Sequence, residues 1–140
     1  MLRFASMMGA IQGASSGITA GAQWLGMVAG NVANMNDTVT PGTGAYRTQS
    51  PVLVPTAGPT GSGAGVAVAG TALGPATGSL AYAAGNPAAN GQGLVSYPTD
   101  SLVTQLTSAT DAQLMVQANV AVLRHAVAAY QSLLGPGTNG

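Results

Sequence analysis

The sequence predicts an α+β chain: two long helices, one at each end, with a small irregular β region between them. Three observations predict it. Apolar and small residues recur with alternating steps of four and three from residue 4 to 32 and again from 102 to 134. That spacing is the seam of a coiled coil. Most of the prolines, and runs of Gly and Thr, fall between the two patterns.

The first seam is Phe4, Met8, Ile11, Ser15, Ile18, Ala22, Leu25, Ala29 and Val32. It predicts a helix over 1–34, roughly 45 Å long at 1.5 Å per residue. This helix carries Gly9, Gly13, Gly17, Gly21, Gly26 and Gly30. Each glycine costs about 1 kcal/mol against alanine in a helix interior. Small residues four apart let another backbone approach closely. In lipid that spacing reads as a dimerisation face, but Gln12, Ser15, Ser16 and Gln23 interrupt the apolar run. Dense packing in a protein assembly is the preferred reading. The same polar residues make the N-terminus a poor secretory signal and a poor membrane span.

The middle, 35–98, is expected to hold short strands at 46–54, 65–73, 79–83 and 93–97, with a flexible Gly-rich loop at 56–65. Pro51 and Pro55 confine the first strand to an edge or a bulge. The second seam is Leu102, Leu106, Ala109, Gln113, Val116, Val120, Leu123, Val127, Tyr130 and Leu134. It predicts a helix over 99–134, with Thr99 or Asp100 as N-cap. Gly135-Pro136-Gly137 is a stop signal, leaving 135–140 as a flexible tail. The two seams are expected to pair as an antiparallel coiled coil. Periodicity alone also allows an ordinary two-helix packing.

Only 4% of the 140 residues are charged, against about 25% in ordinary soluble proteins. Lys and Glu are absent, and Arg3, Arg47 and Arg124 balance Asp37, Asp100 and Asp111. Nucleic acid is excluded as a partner, because neutralising phosphates takes several basic groups. An uncharged surface either meets water through Ser, Thr, Gln and Asn or is covered by other subunits. Aromatic residues are only 4%, so the core is thin, which favours the second reading.

No chemistry is expected. The chain has no Cys and one His, His125, which cannot build an ordinary zinc site. The three aspartates show no paired-carboxylate pattern, no serine sits in a nucleophile elbow, and "GPTGSGAG" lacks the P-loop lysine. We therefore expect no catalytic residue, no metal, no cofactor and no small-molecule substrate. The Trp-x-Gly of "QWLG" is shared with small secreted helical-hairpin interaction proteins, the reading of another class.

The stretch "AGNVANMNDTVTPGTGAYR", residues 29–47, carries a more specific signal. Leu25 is followed six residues later by Asn31-Val32-Ala33-Asn34, and a Thr/Gly turn then leads to Tyr46-Arg47. This resembles the N-terminal signature of the flagellar rod, hook and hook-filament junction proteins. "YAAGNPAANGQGLVSYP", with Asn86, Pro87, Gly93, Tyr97 and Pro98, resembles a segment of the proximal rod proteins within that family. "VQANVAVLRHAVAAYQSLL", with Gln117, Ala118, Asn119, Val120 and Leu123, resembles their C-terminal helix. The match covers about two thirds of the chain. It departs from the family in its low charge and in Val116, where an aromatic is usual.

The resemblance implies a structural subunit of the basal-body rod, with another axial protein of the rod and hook family as the alternative. It implies partners among other rod proteins and further copies of the chain, in a helical assembly that carries motor torque. It implies passage through the flagellar type III export apparatus without a cleaved signal peptide, and a final place in the periplasmic rod. Asn31 and Asn34 are then expected to satisfy the last carbonyls of the first helix and to link it to the following loop.

Overall fold

The computed structural model describes residues 2–58 and 63–135. Two long helices, α1 (Leu2–Asn34) and α2 (Leu102–Leu134), enclose four strands in the chain order. The strands are β1 (Gln49–Ala57), β2 (Gly63–Leu73), β3 (Ser79–Tyr82) and β4 (Leu94–Tyr97). They form two separate two-stranded sheets, β1 with β2 and β3 with β4. Every strand is therefore an edge, which is why Pro51 and Pro55 are tolerated within β1. The expected stop at Pro136-Gly137, the tail after Gly135, the tip of the 56–65 loop and the Phe4 side chain lie outside the described residues.

Packing divides the chain into two compact units. One consists of Met1–Gln23, Leu53–Ala69 and Asp111–Gly140; the other of Trp24–Val52 and Gly70–Thr110.

In the first unit the glycines of α1 serve close approach. A Cβ on Gly17 would strike the carboxamide of Asn119, and one on Gly21 would lie 2.6 Å from Val116 Cγ2 and 3.3 Å from the Ala112 carbonyl oxygen. The pairing of 17 with 119 and 21 with 112 and 116 makes the helices antiparallel here. Ala14, Ala20 and Ala112 are buried in the same unit. The helix-propensity cost of the glycines is offset by the proximity they allow.

Strand β2 is strapped to α1 by one hydroxyl. Ser16 Oγ donates to the Gly13 carbonyl at 2.7 Å and accepts from the Val66 N–H at 3.1 Å. Gly65 lies at φ +130, and a Cβ there would run into Ser16 and come within 3.1 Å of Gly13 Cα. Only glycine fits this crossing.

In the second unit β3 and β4 pair antiparallel, Ser79 with Tyr97 through Tyr82 with Leu94. Val39 adds a bridge to Ser96, with both backbone bonds formed at 2.9 and 3.0 Å. Val95 sits at the centre, fully buried. The turn before β4 is closed by Asn90, whose Oδ1 accepts from the Gln92 and Leu94 N–H groups. Gly93 completes it at φ +75, where a Cβ would press on the Tyr82 ring.

The buried positions of α1 are Ala14, Gly17, Ala20, Gly21, Val28 and Asn31; all but Ala20 lie one before the expected Ser15, Ile18, Ala22, Ala29 and Val32, while Ile11, Ile18 and Leu25 of the expected seam are half-buried. In α2 they are Gln105, Ala112 and Ala126, again one before Leu106, Gln113 and Val127. Within the chain, small and polar residues face inward. Large apolar ones, including Leu106, Leu114, Val122 and Leu133, face outward, with Leu114 at 57% exposure. The closest helix contact uses the smallest residues of α1, and Val116 of the expected α2 seam packs against them.

The start of α2 is also corrected. Its first residue is Leu102, and Ser101 accepts the Gln105 N–H at its carbonyl, which puts Ser101 at the N-cap position. Thr99 instead donates to the Thr77 carbonyl at 2.9 Å. Asp100, two residues before the first helical residue, accepts from the Ser101 N–H at 2.7 Å.

Candidate functional site

The end of α1 and the start of α2 meet in the second unit around Asn31, which is 1% exposed. A carboxamide has two N–H donors and two acceptor lone pairs. Asn31 uses all four. Its Nδ2 donates to the Gln49 carbonyl at 2.8 Å and to Gln105 Oε1 at 3.0 Å. Its Oδ1 accepts from the Gln49 N–H at 2.8 Å and from the Tyr46 hydroxyl at 3.1 Å. The amide orientation is fixed by chemistry, because the Gln49 carbonyl needs a donor and the Gln49 N–H an acceptor.

The network continues. Gln105 Nε2 donates to Asp100 Oδ1 at 3.0 Å, and that oxygen also receives the Ser101 N–H. One chain of bonds thus runs from Tyr46 through Asn31 and Gln105 to Asp100. It ties the C-terminal turn of α1, the first residue of β1 and the first turn of α2. The buried Asn31 carboxamide, with all its donors and acceptors paired, fixes one arrangement, since any alternative leaves one of them without a partner.

Asn34 has a separate, local role. Its Nδ2 donates to the Gly30 carbonyl at 2.7 Å, and its own carbonyl accepts from the Asp37 N–H at 3.0 Å. Asn34 therefore bonds back by one helical turn to Gly30, whose carbonyl is not among the last four of the helix, and its own carbonyl starts the turn. Asn31 makes no such bond and reaches other elements instead. Between them, Val32 and Ala33 are exposed, and Leu25 is half-buried.

The remaining motif residues are spread over the fold. Arg47, exposed, donates through Nε to the Gly74 carbonyl at 2.7 Å and through NH2 to the Leu73 carbonyl at 3.5 Å, holding the end of β2. Asn86 Nδ2 donates to Thr38 Oγ1 at 3.2 Å, and its Oδ1 accepts the Ala88 N–H, which turns the chain at Pro87. Tyr97 is half-buried and Pro98 buried. On α2, Asn119 lies against Gly17 and donates to the Met115 carbonyl at 2.7 Å. Val120 and Leu123 are half-buried, while Gln117 and Ala118 are exposed.

Only Tyr46 and Asn31 among the motif residues touch directly around the hub. Gln49, Gln105, Asp100 and Ser16 carry bonds that sequence reasoning missed. Gln105 had a faint signal, a polar residue one step before an apolar seam position. Gln49 acts through its backbone, which no side-chain pattern reveals.

Among the described residues, no three His, Cys, Asp or Glu side chains group to hold a metal, and no helix is long and apolar enough to cross a membrane. The arrangement joins elements.

No protein-family model matches the chain. Curated relatives do. The chain is 34% identical over 110 residues to the flagellar basal-body rod protein FlgC of Escherichia coli O6:H1, covering 79% of this chain and 82% of the relative. The FlgC proteins of Salmonella typhimurium and Salmonella typhi are 32% identical with the same coverage. The chain belongs to the FlgC family of flagellar basal-body rod proteins, a structural and non-enzymatic family.

Proposed function

We propose that the chain is a subunit of the proximal rod that polymerises helically and passes motor torque towards hook and filament. The observation that carries this is the inverted use of side chains in the helices. The intrachain contact is built from Gly and Ala, whereas Leu102, Val103, Leu106, Leu114, Val122 and Leu133 are exposed on α2. Exposed large apolar residues around much of a helix mark a surface for association. With three positive and three negative charges in 140 residues, little repulsion opposes it.

In this reading, 1–34 and 99–134 form the inner helical part, as an antiparallel coiled coil extended by the helices of neighbours. Residues 35–98 form the outer layer, and 135–140 are a flexible tail. The partners are other rod proteins and further copies. Contacts that are head-to-tail and do not close on themselves give a filament, not a ring. The chain reaches the periplasm through the flagellar type III export apparatus without a cleaved signal peptide. The hub residues Asn31 and Tyr46, with Asn34 and Arg47, hold the subunit in the shape its neighbours meet.

Electron microscopy of basal bodies from cells lacking the chain tests this proposal. The expected result is rings without a complete rod or hook. Intact rods and hooks would refute it.

A further inference from the structure

An open recess of about 490 Å³ lies beside the hub in the second unit. Trp24 and Val28 of α1, Ser50 of β1, Ser79 of β3 and Thr104 and Ser108 of α2 line it, together with Asp100. Its wall is rich in hydroxyl groups, and it contains the chain's single Trp.

Asp100 is the unusual member. Its Oδ1 is held by the Ser101 N–H and by Gln105 Nε2. Its Oδ2 is closed off from solvent and has no hydrogen-bond partner. A buried oxygen left without a donor is uncommon, more so on a group that carries charge. Among the described residues no Arg or His side chain pairs with Asp100. Arg47 is committed to the Gly74 and Leu73 carbonyls.

We propose that this recess is a binding site for a guanidinium group, the side chain of an arginine on an adjoining subunit. The chemistry of the wall selects it. A carboxylate with an unused oxygen demands a cationic donor. A guanidinium offers several N–H groups in one plane, so it can meet Oδ2 and surrounding hydroxyl oxygens together. It is weakly hydrated and stacks on aromatic faces, which suits the Trp24 indole. Asp100 is part of the recess wall, and in the proposed complex its carboxyl turns Oδ2 towards the guanidinium. That the arginine comes from a neighbour rests on the rod reading; the site itself does not.

The test uses the full chain with N-acetyl-arginine amide as probe, followed by helical circular dichroism and its thermal midpoint. A ligand that binds the folded chain raises the folded-to-unfolded ratio by a factor of 1 + [L]/Kd, about elevenfold at ten times Kd. This readout works whether the isolated chain is fully or partly folded. The expected result is a saturable rise in helical signal or midpoint. Asp100→Asn, which keeps the Oδ1 acceptor and should fold, should abolish the rise. So should replacing the probe with N-acetyl-glutamine amide. No rise with the arginine probe at tens of millimolar would overturn the proposal, as would equal rises in Asp100→Asn or with the glutamine analogue. None of these outcomes depends on whether cells lacking the chain build a rod, so the two proposals fail separately.

Discussion

The carboxamide of Asn31 pairs with the backbone of Gln49 in both directions, donating to its carbonyl and accepting its N–H, each at 2.8 Å. The pairing imitates one rung of a β-ladder, with a helix side chain in place of a strand. It places the first residue of β1 against α1, and the same side chain bonds Gln105 on α2. A single residue thus sets the mutual position of three elements within its unit.

Replacing Asn31 should therefore cost far more than replacing Asn34. Asn31→Ala strands the Gln49 N–H and carbonyl and removes the partner of Gln105, and each unsatisfied buried group costs about 1–3 kcal/mol. A loss of about 3–5 kcal/mol is expected. Asn34→Ala loses one local bond, worth about 1 kcal/mol. Thermal unfolding of the two variants, followed by circular dichroism, checks the contrast. Equal midpoints would remove Asn31 from the centre of the network.

The glycines of α1 should divide by position. Gly21→Leu drives a side chain into Val116 and the Ala112 carbonyl and should destabilise the chain by about 1–3 kcal/mol, although Leu is the better helix former. At Gly26 an added Cβ meets nothing within 4 Å, so Gly26→Ala should stabilise the isolated chain by about 0.5–1 kcal/mol. The measurement is the sign of the midpoint shift, which should be opposite in the two variants.

Ser16→Ala removes the acceptor for the Val66 N–H and should free β2 from α1 locally. Hydrogen exchange at the Val66 amide should speed up more than at the amides of β4, which rely on other partners. A uniform change across both sheets would mean that Ser16 acts on global stability and not as a strap.

The fold class was legible because heptad spacing and the Gly/Pro-rich middle are local properties of the sequence. Three things were hidden. The seam phase depends on how near a second helix lies, and the spacing of Gly17 and Gly21 indicated a close approach without indicating that Asn119, Val116 and Ala112 stand opposite them. The hub depends on residues far apart in the chain, Asn31 and Gln105 being separated by 74 positions. The β region looked like one element, but pairing separates β1–β2 from β3–β4. The resemblance to rod proteins singled out Asn31 and Tyr46 without indicating that they bond to each other.

The central claim is that the outward apolar residues of α2 belong to contacts between subunits and not to the core of the chain. Leu114→Asp tests it most directly, because Leu114 is exposed and its loss leaves no intrachain cavity. The measurement is the amount of the variant in purified basal bodies, set beside the thermal midpoint of the isolated chain. The account predicts an unchanged midpoint, within about 0.5 kcal/mol, and little or no variant in the rod. Normal incorporation and normal motility with Leu114→Asp would contradict it.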